Sequence, residues 1–470
     1  MQWTEADVKA KIYGFIESNS AQIVKDIGAL VAQRSVEDFS TAGPGAPFGQ
    51  GPRRALDTAL KMATDMGLET HDCDGYVCWA ELPGKEEGHL ATITHVDVVP
   101  EGEGWTGEPY TMREREGWII GRGVADDKGP SILCLYLAKF YKELMQQGYE
   151  MRYGLRVLLG CSEETGMNDV PYYLQRNPQP LFCFSPDAEF PVCYGEKGHL
   201  NGAFVSSVLQ GNLVEFSGGI ANNVVPDRAT CLVKNTGKTA GSTDRITVET
   251  EGDCLRLRAV GIGAHAAFPQ SGINAIALLV NYLLENGLCT DKENDFLRLL
   301  KKLHDTTDGS GLGIACRDEV FDPLTIIGGV IELKEGKLRQ YVDSRYPTAI
   351  TADEIKEKCG ALAAQFNAEF EISRAEKPFY LPPETPAIQA LLQTYNEVSG
   401  KNEKPFTMGG GTYARCFANA ASFGPELLDA KKPDFAGSMH GADEAANVQE
   451  LLDALKIYIL ALYRLQKLDF

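Results

Sequence analysis

The sequence is short of basic residues: 45 Lys and Arg stand against 65 Asp and Glu, a net charge of −20. That balance repels nucleic acid and anionic lipid at long range, so no nucleic-acid partner is expected. No stretch approaches the roughly 20 apolar residues of a membrane-spanning helix, and no membrane partner is expected. The first dozen residues carry charges throughout and lack the apolar run of a secretory signal. No two of the 12 cysteines form a CxxC pair. Together these absences point to free thiols in a reducing cytoplasm rather than a disulfide framework. Low-complexity segments and short-period repeats are also missing. What is present is 470 residues, 44% of them hydrophobic. That is ample for a large core and, as a prior, roughly two to four domains.

Apolar residues at helical spacing (Val8, Ile12, Phe15, Ile16, Ile23, Ile27) predict a helix over 3–33, and a second is expected over 53–66. Compact apolar runs at 89–95, 154–160 and 181–185 read as buried strands, and 128–144 as an apolar helix. Short buried strands separated by helices predict an α/β fold on a mixed, mostly parallel sheet. From about 196 to 380 the pattern changes to alternating, β-branched runs with helices expected at 273–286, 292–304 and 351–366. This reads as an α+β domain with antiparallel sheets. After Pro382–Pro383 the α/β style returns and ends in a helix from Val448 to about Leu465. The simplest organisation is one domain, 1–195 plus 382–470, interrupted by an insert, 196–381.

The chemistry-bearing residues gather at strand ends. The 89–95 strand ends in His95-Val96-Asp97, the 154–160 strand is followed by Ser162-Glu163-Glu164-Thr165-Gly166, and the 181–185 strand by Pro186-Asp187-Ala188-Glu189. Ligands of open α/β sheets bind beyond the carboxyl ends of the strands. Asp126 and Asp127, just before the 128–144 helix, add two more carboxylates. Such crowding opposes ionisation unless cations compensate it. Mixed imidazole and carboxylate donors suit zinc, with manganese or cobalt as alternatives. His440, in Ser438-Met439-His440-Gly441-Ala442-Asp443-Glu444, is the candidate closing ligand from the far end of the chain. His71, His89, His199 and His304 lack motif context and receive no function. Lys128 is expected to cap or pair with local carboxylates.

The segments at 94–100, 121–130, 162–166, 185–191 and 438–444, taken in order, resemble the aminoacylase/carnosinase family of dinuclear metallopeptidases. Within it the chain looks most like the PepV-like bacterial dipeptidases. The resemblance implies a zinc-peptidase-like catalytic domain with an inserted lid, and two divalent metal ions per chain. It implies that Asp126 bridges the metals, that His95 and Asp187 complete one site, and that Glu164 and His440 complete the other. Asp97 would orient His95, as metal-bound histidines usually require, and the Asp126–Asp127 peptide would be cis. Glu163 would be the general base toward a hydroxide bridging the metals, and His265 would stabilise the oxyanion. Asn223 and Arg345 would grip the substrate's C-terminal half, and Gly410, Gly411 and Thr412 would line the cleft.

The implied activity is hydrolysis of dipeptides. The alternative is an N-acyl-amino-acid deacylase or desuccinylase. A third reading, a catalytically silent metal-binding protein, would show a lost ligand or a lost Glu163, and neither is lost. The long insert resembles a lid that mimics a dimer partner, which implies a monomer acting on a small peptide substrate.

Overall fold

The computed structural model describes all residues except Met1, Gln2, Thr239, Ala267 and 428–430. The chain divides into two compact units. The first holds the residues up to Tyr194, Tyr380–Phe406 and Gly411–Phe470; the second holds Gly195–Phe379 and Thr407–Gly410.

The first unit is built on a mixed sheet whose centre is parallel. Gly154–Gly160, His89–His95, Phe182–Ser185 and Ala420–Ser422 lie side by side in that order. His89 pairs with Gly154 and His95 with Gly160, so the two strands carrying most of the polar ends finish level with each other. Phe182–Ser185 pairs in parallel on the other side of His89–His95, and Ala420–Ser422 continues the parallel run. The flanks turn antiparallel: Val77–Leu82 against Gly154–Gly160, Glu69–Cys73 beyond it, and Ser422 opposite Cys193. The parallel centre is buried along its length, as strands covered on both faces must be.

Helices cover it. Glu5–Val31 begins at Thr4, whose side chain and that of Asp7 form a reciprocal cap. Lys128–Gln146 and Val448–Leu465 are buried around most of their circumference, as helices pinned between layers are. Asn447 caps the latter by accepting from the Gln449 and Glu450 N–H groups. The helix Pro386–Ser399 has no counterpart among the sequence expectations; its Pro at the first turn suits a helix start. No helix among the described residues is long and apolar enough to cross a membrane.

The second unit has an eight-stranded sheet in the order Ile246–Glu251, Cys254–Val260, Arg228–Lys234, Leu213–Gly218, Thr325–Lys334, Lys337–Tyr346, Gly198–Ser206, Ala368–Glu376. All of these neighbours pair antiparallel. Ala275–Glu285, Asp291–His304 and Ala352–Ala364 contribute apolar side chains to this unit's separate core. Alternation of buried and exposed residues along Arg228–Lys234 and Cys254–Val260 matches the one-face-buried pattern that the sequence displays there.

One close approach in the first unit fixes the strand end beneath the candidate site. At Gly160 a Cβ would overlap the ring of Tyr413, which is fully buried. Gly160→Ala is therefore expected to cost about 1–3 kcal/mol, measured by denaturant unfolding of the metal-stripped protein. Unchanged stability would mean that Tyr413 can retreat.

Candidate metal centre

The site forms where loops leave the carboxyl ends of the parallel strands. His89–His95 delivers His95 and Asp97, both fully buried. The loop ahead of Lys128–Gln146 delivers Asp126 and Asp127, joined by a cis peptide bond. Gly154–Gly160 leads to Glu163 and Glu164, and Phe182–Ser185 to Asp187. His440 arrives from the C-terminal part of the chain with a left-handed backbone, φ 60°.

These side chains meet in two sets that share one residue. His95 Nε2 lies 2.9 Å from Asp126 Oδ1 and 3.8 Å from Asp187 Oδ2. His440 Nε2 lies 2.9 Å from Asp126 Oδ2 and 3.2 Å from Glu164 Oε2. Within each set the donor atoms lie within 4.8 Å of one another. The two oxygens of Asp126 thus face different sets, the arrangement a carboxylate bridging two cations needs. Each set offers three protein donors, the number that catalytic metal sites use. Glu164 Oε1 is buried with no hydrogen-bond partner, and an unpartnered buried carboxylate oxygen is costly unless a cation meets it. The donor set and this orphan oxygen fit two divalent ions.

The charges make the same point. Burial alone would raise the Asp126 carboxyl, but its bonds to His440 and His95 hold it well below the usual carboxylate range. The His440 imidazole is pushed up to about 11, first by its bond to Asp126 and then by Glu164. Burial would lower His95, yet Asp126 and Asp97 outweigh it and raise it. Glu163 is raised well above its ordinary value by burial and by the charge of Asp187, with Glu164 and Asp126 adding to it. Burial and neighbouring carboxylates raise Asp187 and Glu164 as well. The polypeptide by itself therefore keeps protons among groups that a metal ion would need bare.

Asp97 lies against His95 through its main chain as well as its carboxylate. The His95 Nδ1–H donates to the main-chain carbonyl of Asp97 at 3.1 Å, and the Asp97 carboxylate sits at 3.4 Å. Its other carboxylate oxygen, Oδ2, accepts the Glu164 N–H at 3.1 Å. Asp97 thus ties the His95 strand end to the Glu164 turn, and its backbone does much of the orienting of His95. Lys128 departs from expectation: it is fully buried and donates to the carbonyl of Gln33 at 2.7 Å.

Several supporting residues escaped the sequence reading. Glu444 is fully buried and accepts from the N–H groups of Gly123, Ala125 and Asp126 at 3.0–3.2 Å. It also pairs with Arg122 at 2.7 Å. It therefore holds the loop that presents Asp126. Asp127 accepts the His95 N–H at 3.2 Å. Asp169 accepts the N–H groups of Cys161 and Ser162 and the hydroxyl of Tyr413, fastening the turn that carries Glu163. Glu444 and Arg122 stand inside motifs already singled out. Asp169 and Tyr413 lie 244 residues apart in sequence and offered no signal.

The remaining predicted residues lie mainly in the second unit. His265 sits on Ala264–His265, paired with Val224–Val225, and is opposite Val224. Asn223 directly precedes that strand, and its carbonyl accepts the Ala266 N–H at 2.9 Å. Both His265 and Asn223 are exposed. Arg345 is buried near the end of Lys337–Tyr346. Gly410 belongs to the second unit, while Gly411 and Thr412 belong to the first. The Thr412 side chain caps a single 3-10 turn and bonds Ser422 at 2.8 Å.

Residues 91–464 match the sequence model of peptidase family M20/M25/M40. The Beta-Ala-Xaa dipeptidase of Lactobacillus delbrueckii subsp. lactis is 32% identical over 473 residues, spanning 96% of this chain and 97% of that protein. YtjP of Bacillus subtilis (strain 168) is 31% identical over 465 residues, spanning 95% of this chain and 97% of its own length. Human carnosine dipeptidase 1 shares the fold, with a TM-score of 0.61 at 14% identity over 98% of this chain and 99% of that one.

Because His440 is raised to about 11 and His95 is also raised, protons compete with metal below that range and affinity strengthens as pH rises. Adding zinc to chelator-stripped protein at pH 7 should release about two protons per chain, or more where carboxyls also give theirs up. Calorimetry in buffers of different ionisation enthalpy reads this number. A heat independent of buffer would contradict the assignment of these histidines.

Proposed function

The chain belongs to peptidase family M20/M25/M40, and on that premise we propose that it is a dipeptidase using two divalent cations. His95 and Asp187 would hold one ion, Glu164 and His440 the other, and Asp126 both. Zinc is the favoured ion, with manganese and cobalt as alternatives. The observation that carries this reading is the orientation of Asp126, one oxygen toward each imidazole. The name of the Lactobacillus relative, a Beta-Ala-Xaa dipeptidase, supports small peptides with a free amine as substrates.

Bound there, two cations would supply Lewis acidity to the scissile carbonyl and make water acidic enough to attack near neutral pH. Glu163 would accept the proton of the attacking water and return it to the leaving amine. Asp97, Asp169 and Glu444 keep the three acidic turns in place. In the second unit, which we assign the role of lid, His265 would donate to the developing oxyanion. Asn223 and Arg345 would engage the substrate's C-terminal residue, and Gly410, Gly411 and Thr412 would line the cleft. The length of the second unit, which resembles a lid that mimics a dimer partner, supports a monomer. All 12 cysteines are free thiols, which supports a cytoplasmic setting.

The test is turnover of a β-Ala dipeptide, Ala-Ala and N-acetyl amino acids before and after chelation. Both dipeptides should be cleaved, and chelation should abolish activity. Turnover of acyl amino acids alone would replace this reading with a deacylase. Glu163→Ala should keep its metal content and lose on the order of 10²–10⁴-fold in kcat; near-normal turnover would refute its role as base.

A further inference from the structure

A polar quartet, two of its members buried and two half-buried, lies within the second unit, on one face of its sheet. His199 and Asn201 are two apart on Gly198–Ser206, and Asp343 and Arg345 are two apart on Lys337–Tyr346. The antiparallel register sets His199 directly opposite Arg345 and Asn201 opposite Asp343. Strand alternation then turns all four side chains to the same side. Asp343 is 1% exposed and Arg345 7%.

The hydrogen bonds run toward Asp343. Its Oδ1 accepts Arg345 Nε–H at 2.8 Å, and its Oδ2 accepts Arg345 Nη2–H at 3.2 Å. The same Oδ2 accepts from His199 Nε2 at 2.7 Å and from Asn201 Nδ2 at 3.2 Å. Arg345 Nη1 donates to the carbonyl of Gly409 at 3.1 Å. A guanidinium has five N–H donors in a rigid fork. Asp343 takes the side-on edge and Gly409 takes one hydrogen of Nη1. One hydrogen on Nη1 and one on Nη2 have no partner among the described residues. That leaves one free donor on each Nη for a carboxylate to accept. Burial would raise the Asp343 carboxyl, but His199 and Arg345 outweigh it and keep it ionised.

We propose that Asp343, held in place by His199 and Asn201, is a positioning residue that aims the free donors of Arg345 at the terminal carboxylate of the substrate. This rests on the reading of Arg345 as the group that grips that carboxylate. A long arginine side chain has many rotamers. Filling its side-on edge from the same strand, with the carboxylate itself fixed by the neighbouring strand, leaves one orientation and a free donor on each Nη. His199, which had no motif context in the sequence, acquires a role through the strand register alone.

The experiment compares a dipeptide with its C-terminal amide, the amide read as a competitive inhibitor where it turns over slowly. In the metal-loaded full chain, Asp343→Asn should raise KM for the free-carboxylate dipeptide about tenfold or more, because the side-on pair is lost. It should leave kcat within about threefold and binding of the amide unchanged. His199→Leu should follow Asp343→Asn in direction. His199→Gln, which keeps a donor, should restore KM to within about threefold of the parent. Should Asp343→Asn fail to fold, the His199 pair decides. Equal weakening of dipeptide and amide would overturn the proposal. If Arg345→Ala weakens only the free-carboxylate substrate while Asp343→Asn and His199→Leu do not, the positioning role falls and the grip stands. If Arg345→Ala shows no such selectivity, both fall.

Discussion

Asp126 shares its carboxylate between two imidazoles, and the rest of the first unit is arranged around that sharing. A buried carboxylate surrounded by Glu163, Glu164, Asp187 and Asp127 faces repulsion that desolvation magnifies. In the polypeptide alone, the raised histidines supply the compensating positive charge. Divalent cations can do so more strongly, and the direction of both Asp126 oxygens suits them. Glu444 shows how strictly the loop is held. It is a second buried acid a few ångströms behind the first, and it stays there by accepting three backbone N–H groups and the guanidinium of Arg122. Such a group is tolerated because each lone pair has a donor.

The parallel centre of the sheet explains why these groups converge. Level pairing of His89–His95 with Gly154–Gly160 ends both strands on one edge. Phe182–Ser185 ends on the same edge, and the loops beyond carry the ligands. The antiparallel flanks widen the sheet without adding to that edge. The second unit has a core of its own: Arg345 lies on its eight-stranded sheet, His265 on the two-stranded pairing of Val224–Val225 with Ala264–His265, and Asn223 just before that pairing. Its His–Asn–Asp–Arg quartet is the counterpart of the acidic cluster. In both places a buried charged side chain is held by partners distant in sequence.

Much of this was legible in the sequence, for identifiable reasons. Buried strands read as uninterrupted apolar runs, so 89–95 and 154–160 could be placed to the residue and their polar ends recognised. The five ligand candidates fall together as two sets. Other parts depend on partners distant in sequence. Asp169 and Tyr413 meet only after the sheet has formed. The bond from Asp97 to the Glu164 N–H requires knowing that two strands end level. His199 looked featureless because its hydrogen-bond partner, Asp343, lies on the neighbouring strand. The strands Glu69–Cys73 and Ala368–Glu376 carry many polar residues and sit at sheet edges, so periodicity signalled them weakly.

The central claim is that one carboxylate serves two metal ions. Anomalous diffraction from crystals grown with manganese or zinc tests it most directly. The account predicts two peaks about 3.5–4 Å apart, one on each oxygen of Asp126, with His95 and His440 on opposite sides. A single peak, or a pair of peaks that leaves Asp126 uncoordinated, would contradict it.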